Sequence, residues 1–347
     1  YHLLTCRKSP GLYSDIAWSK LRAGPAQANS MTMTTESQLA SSVLMIRPTR
    51  FQSNPQTADS NAFQTEPDAS PAEQQRAALP EFEVLAGALR EAGIDVVVFD
   101  DTPEPHTPDS VFPNNWVSFH ADGRVVVYPM EAENRRAERR MDVIDRLDTE
   151  LGFQVREVVD LSHHEANGHF LEGTGSMVLD RPNRIAYACL SSRTHLDALG
   201  DFAQRMDYDV VAFEGVDRHG VPIYHTNVLM NVGEKLAVIC DAAIVRDDQR
   251  EAVLERLKST GHEIVSIDFD QLEAFAGNML ELRAADGVPV FAMSRRAWDS
   301  LKPEQQAGFE ANGRVVTAAI DDIEDSAGGS VRCMLAEIHL PRAVTTD

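Results

Sequence analysis

Short apolar runs separated by turn residues recur from Val43 almost to the C-terminus, and they are too many for one simple sheet. The series opens with SVLMIRP and IDVVVFD. It continues through RVVVYP, SMVLD, IAYACLS, DVVAF, HTNVLMNVG, KLAVICDAAI, EIVSID, MLELRA, VPVFAMS, RVVTAAID and CMLAEIHL. Between the first two lies LPEFEVLAGALREAG, where Phe82, Leu85, Ala86 and Leu89 fall on one helical face and Gly93 is placed to end the helix. Further helical segments are expected around 133–151, 194–206, 246–260 and 295–312. The alternation means an α/β protein. No glycine-rich phosphate loop follows the first strand, so several small mixed sheets fit better than one doubly wound nucleotide-binding sheet. The region 52–80, rich in Asn, Gln, Ser and Pro, reads as a long loop able to cover a site.

Composition narrows the function classes. The net charge of -22 over 347 residues argues against nucleic-acid or anionic-membrane partners, which need a basic footprint. No apolar stretch is long enough for a membrane span, and no secretory pattern is evident at the N-terminus. Four unpaired-looking cysteines, Cys6, Cys189, Cys240 and Cys333, fit a reducing cytoplasm. Residues 1–40 lack a clean period and precede Met31 and Met33, so they are expected to be a disordered extension or an over-called start. A single α/β domain is placed at 41–342, with a tail at 343–347.

Polar residues gather at strand ends and turns, where a scaffold aims side chains into a cleft. They are Asp109, Asn114 and Asn115 in PDSVFPNNW, His169 and Glu172 in HFLEGTGS, Arg193 in SSRT, His225 and Asn227 in YHTNV, and Cys333 in GGSVRC. Each has a structural reading when taken singly: a turn former, a cap, a satisfied histidine or a buried thiol. Together they supply a nucleophile, a proton carrier and carboxylates for a nitrogen-rich substrate, an inventory for covalent catalysis at a carbon bearing nitrogens. Cys189 and Cys240 lie inside apolar runs and are expected to be inert. SHHEANGHF brings His163, His164, Glu165 and His169 together, but Asn167-Gly168 breaks any helix that would present two histidines on one face. The expectation is therefore no metal and no cofactor.

The motifs TPDSVFPNNW, FLEGTGSMVLDR, YHTNV, GNMLEL and GGSVRCMLAEIHLPR, in that order over about residues 43–341, resemble those of the guanidino-group-modifying enzymes. That superfamily includes arginine deiminases, amidinotransferases and dimethylarginine hydrolases, and the chain resembles its citrulline utilization hydrolase branch. The resemblance implies a five-bladed α/β propeller, the pentein fold, with the substrate in a central channel. It implies Cys333 as nucleophile, His225 as general acid and base, and Glu172 as the carboxylate orienting His225 or the substrate nitrogens. It also implies Asp109 against the substrate side chain or α-amino group, and Arg193 on the α-carboxylate.

Departures from the guanidine-processing pattern point to the substrate. Asn115 stands where those relatives carry an acid, and Asn227 where deiminases carry Asp. A carboxylate suits a guanidinium, whereas an amide suits a neutral ureido group. Tyr128 stands where dimethylarginine hydrolases have a second carboxylate-binding arginine, leaving Arg135 and Arg136 as nearby substitutes. The function expected is therefore hydrolysis of L-citrulline to L-ornithine, ammonia and carbon dioxide, with Asn114, Asn115 and Asn227 on the substrate. The alternative is hydrolysis or deimination of arginine or a methylated arginine. The partner is a small amino-acid substrate, and homo-oligomerisation is left open.

Overall fold

The computed structural model describes residues 36–343, apart from positions 59, 66 and 67. Among the described residues, fifteen strands form five three-stranded sheets. The first sheet pairs β1 (Ser42–Arg47) and β2 (Asp95–Asp100) with the last strand, β15 (Ala336–Ile338). The second holds β3 (Val117–Phe119), β4 (Arg124–Val127) and β5 (Glu157–Asp160), and the third β6 (Val178–Asp180), β7 (Ile185–Cys189) and β8 (Asp209–Phe213). The fourth holds β9 (Met230–Val232), β10 (Leu236–Ile239) and β11 (Glu263–Ser266), and the fifth β12 (Leu280–Arg283), β13 (Pro289–Ser294) and β14 (Arg314–Ala318). This is the pentein architecture of five small α/β units.

Every sheet repeats one topology. Its middle strand runs parallel to the strand that follows it and antiparallel to its other neighbour, which precedes it in every sheet but the first. A parallel step needs a crossover, and a helix supplies it each time. The crossover helices are Pro71–Glu91, Met141–Thr149, Leu196–Met206, Asp247–Ser259, and the pair Arg295–Ser300 and Pro303–Asn312. The first sheet is completed only at the chain's end, where Ala336 pairs with Leu44 and Ile338 with Ser42.

Several expectations need correction. The helix read over LPEFEVLAGALREAG begins earlier, at Pro71, so the loop ends near residue 70 rather than 80. Its start is set by Glu73, whose carboxylate accepts from the Ser70 backbone N–H at 2.9 Å and hydroxyl at 2.6 Å, with Pro71 in the first turn. Gln74, Ala78, Phe82, Leu85, Ala86 and Leu89 form its buried face, which carries the helix through Pro80. Strands β3 and β5 are not evident in the sequence, being three and four residues long. Residues 36–40, assigned above to the extension, pack into the fold: Leu39 and Ala40 are buried, and the Gln38 amide donates to the carbonyls of Leu179 and Val232. Residues 1–35, including Cys6, and the tail positions 344–347 lie outside the described residues. No described helix is long and apolar enough to cross a membrane.

Candidate active site

The same position in each unit supplies the site. Asp109 and Asn115 lie just before β3, Glu172 just before β6, His225 and Asn227 just before β9, Asn278 just before β12 and Cys333 just before β15. Short helical turns hold three of these lead-in segments: Pro113–Asn115, Gly173–Ser176 and Thr226–Leu229. Cys333 itself sits in a turn and not at the start of a strand, which begins only at Ala336.

One pocket is lined by Asp109, Asn115, Arg135, Arg193, His225 and Cys333, together with Thr57, Asn61, Phe112, Tyr224 and the Ala327–Gly329 turn. The loop around residues 51–65 therefore does cover the site, through Thr57 and Asn61. Gly328 has φ +65, and a Cβ there would meet the Asn61 side chain at 2.6 Å. The glycine thus admits the covering loop as well as the reversed backbone that leads to Cys333.

Glu172 stands behind His225. Its Oε2 lies 2.9 Å from His225 Nε2, and both residues are buried. Burial lowers the His225 pKa to about 4, against the raising effect of Glu172 and with further lowering by Arg193 and Arg135. The imidazole is neutral at ordinary pH. Burial alone would raise Glu172, but the charge of Arg193, the His225 hydrogen bond and the charge of Arg135 hold it well below the usual carboxylate range.

Two side-chain amides touch the Cys333 sulfur. Asn278 Nδ2 donates to Sγ at 3.2 Å and Asn227 Nδ2 at 3.4 Å. Asn278 also donates to the Asn227 carbonyl at 3.0 Å, which ties the two amides together. Burial pushes the Cys189 thiol up to about 12 and the Cys240 thiol to about 11. Both are protonated at neutral pH, in keeping with the inert roles expected of them.

Arg135 organises the other wall. It is buried, with Nε and Nη2 each 2.9 Å from the two oxygens of Glu138, and Nη1 donates to Asn115 Oδ1 at 2.9 Å. Asp109 Oδ2 and Glu172 Oε2 are each 3.6 Å from the guanidinium. Asn115 passes its own Nδ2 to Asn114 Oδ1 at 3.0 Å. The Asn115 amide is thus committed to protein on both atoms, and Asn227 is turned to the sulfur. Asn114 is buried behind Asn115 and does not line the pocket. Asp109 is buried, with Oδ2 accepting from Asn54 Nδ2 at 2.7 Å and Oδ1 without a hydrogen-bond partner among the described residues. Burial raises its pKa against the pull of Arg135.

Arg193 bonds the covering loop through Nη2, to Ser60 Oγ at 2.7 Å and the Thr57 carbonyl at 3.4 Å. Its guanidinium also lies over the Tyr224 ring, 4.9 Å from the centroid. Tyr128 is buried away from the pocket, its hydroxyl 2.6 Å from Ser118 Oγ. His169 is not in the pocket either; it faces Asp197 on the helix Leu196–Met206.

Sequence reasoning missed Asn278, Arg135 as an organising cation, Glu138 and Tyr224. Asn278 carried a signal: NNW, TNV and GNM each place an asparagine just before a strand, and GNM was the one whose asparagine had not been singled out.

The chain was compared with known proteins. It matches the family model described as N,N dimethylarginine dimethylhydrolase, eukaryotic, over residues 47–340. No curated protein sequence matches it. Among solved structures, the substrate-bound N-terminal domain of a cysteine-to-serine variant of ArgZ, an arginine dihydrolase from the ornithine-ammonia cycle in Cyanobacteria, is similar at TM-score 0.65 and 18% identity, covering 86% of this chain and 99% of that one. Apo ArgZ is similar at TM-score 0.66 and 18% identity over 87% of this chain, which spans only 41% of ArgZ. A cysteine-to-serine variant of DDAH from Pseudomonas aeruginosa, complexed with citrulline, is similar at TM-score 0.59 and 13% identity, covering 86% of this chain and all of that one. On the family match, which spans most of its length, the chain belongs to the N,N dimethylarginine dimethylhydrolase family.

Proposed function

We propose that the chain hydrolyses the guanidino C–N bond of arginine or a methylated arginine through a covalent intermediate on Cys333. The supporting observation is Asp109, a buried carboxylate at the pocket wall with one oxygen that has no hydrogen-bond partner among the described residues. With Glu131, Glu138 and Glu172 it faces the two guanidinium groups of Arg135 and Arg193. Burial pushes Glu138 up to about 8 and so leaves it largely neutral near pH 7; the other three carboxylates outnumber the two guanidinium groups by one negative charge. Arginine carries one net positive charge and offsets it; zwitterionic citrulline carries none. The family match favours the same reading over citrulline hydrolysis.

The chemistry follows from the side chains at hand. The Cys333 thiolate attacks the guanidino carbon, and the Asn227 and Asn278 amides are placed to hydrogen-bond the sulfur's charge. The neutral His225 takes up the thiol proton and gives it to the departing amine, leaving a thiouronium on Sγ. Water then enters, His225 removes its proton, and the thiolate leaves as citrulline forms. Glu172 holds the ring through Nε2 and leaves Nδ1 for proton movement. Arg193 is the proposed grip on the α-carboxylate, exchanging its bonds to the covering loop for the ligand.

Citrulline turnover retains one supporting observation: both side chains on Sγ are amides, so a ureido carbon there meets no opposing charge. An enzyme that carries arginine through citrulline to ornithine would satisfy both. The test is incubation of the purified chain with arginine, dimethylarginine and citrulline, measuring citrulline, ornithine, dimethylamine and ammonia. Consumption of a guanidine substrate is expected. Consumption of citrulline alone would reverse the assignment.

A further inference from the structure

The segment SHHEANGHF leaves its histidines outside the pocket, on a surface where they meet the helix Leu196–Met206. A turn of 3-10 helix, Ser162–Asn167, ends at Gly168 with φ 67, which is the break expected from Asn167-Gly168. That break removes a one-helix zinc motif, but it does not keep the histidines from converging on a second element. His163 Nε2 lies 3.4 Å and His164 Nε2 3.1 Å from the same oxygen, Asp201 Oδ2. All three ligand atoms lie within 4.8 Å of one another.

We propose that His163, His164 and Asp201 form a binding site for a late first-row divalent cation of the zinc class. A tetrahedral ion with bonds of about 2.0–2.1 Å separates its ligand atoms by roughly 3.3 Å. The two His–Asp separations match that edge, so an ion fits with small side-chain adjustments and each imidazole in the tautomer that leaves Nε2 free. Two imidazoles and one carboxylate select zinc and its neighbours over magnesium or calcium, which take oxygen ligands. Asp201 is pre-oriented: its other oxygen accepts from Arg205 Nε at 2.7 Å, one helical turn away. Water would fill the remaining coordination position.

A second group, His169, His195 and Asp197, lies one turn nearer the start of the same helix. There the imidazole rings are stacked, 3.7 Å apart and 5° from parallel. In-plane lone pairs on parallel rings do not converge on one ion, whereas the His163 and His164 rings, 4.3 Å apart, are tilted by 35°, so the first group is the site. Its ion would pin the 3-10 turn to the crossover helix of the third unit, which makes the role structural.

The test uses the full chain, stripped with chelator and titrated with zinc chloride by calorimetry, with cobalt(II) as an optical probe. One zinc per chain is expected, with a tetrahedral cobalt absorption band and a melting temperature raised by zinc. His163→Ala and His164→Ala should each weaken binding by more than about 100-fold, since losing a ligand costs at least as much as losing a supporting contact. Cys333→Ser should bind as wild type does. Where His164→Ala fails to fold, the exposed His163→Ala carries the test, its metal-free melt serving as the check on folding. No zinc retained by wild type would overturn the site. Binding lost in Cys333→Ser but kept in His163→Ala would overturn it as well, by moving the ion to the catalytic pocket.

Discussion

Asn278 and Asn227 bring two N–H donors to the one sulfur that lines the pocket. A hydrogen bond to a charged group contributes about 1.5–3 kcal/mol, so Asn278→Ala should lower kcat/KM by about 10- to 100-fold. Alkylation of Cys333 by iodoacetamide at neutral pH should slow with it. Unchanged kinetics and unchanged alkylation would remove Asn278 from the mechanism. His225 makes a second prediction, through pH. Burial has moved its titration down to about 4, and only the neutral ring accepts a proton. Activity should therefore hold through the range near 6.5 where a free histidine titrates, and fall as pH drops through about 4. The profile of kcat/KM between these limits, with folding followed by circular dichroism, checks it; an acid limb near 6.5 would contradict it.

Elements explain how such a site is held. The Gly173–Ser176 turn places Glu172 behind His225, and Gly173 has φ +49 with a virtual Cβ 2.2 Å from the Asn114 carbonyl oxygen. Neither the conformation nor the space admits a side chain. Gly173→Ala should cost more than about 2 kcal/mol and displace the Glu172 and Asn115 walls together, read as a lower melting temperature and lost turnover. A variant with both intact would mean the turn is not required. Most strands and the crossover helices were legible because their apolar periods are set by burial. Their ends were less so: the start of Pro71–Glu91 depends on a Ser70–Glu73 box set far before the apolar stripe, and β3 and β5 are too short to show a period. Among site residues, Cys333, His225, Asp109, Asn115 and Arg193 were legible as pocket-lining candidates, and Glu172 as the carboxylate behind them. What Asn115 and Asn227 bond to was not, because Arg135 returns to Asn115 only after the β3–β4 hairpin of its own unit and Cys333 reaches Asn227 from another unit of the fold.

At the scale of the whole molecule, one topology repeated through five sheets brings lead-in segments from across the chain to one pocket. The first sheet closes only through β15, so the nucleophile's turn and the closing strand come from the same last stretch of sequence. The wide separation of Asp109 from Cys333 in sequence is thereby consistent with chemistry at a single carbon. The most direct measurement is to quench the enzyme with acid during turnover of arginine labelled at the guanidino carbon, and to map the label by peptide mass spectrometry. Label on the peptide containing Cys333 is the expected result. Label on another residue, or label on Cys333 from ureido-labelled citrulline with none from arginine, would contradict covalent guanidine hydrolysis at this site.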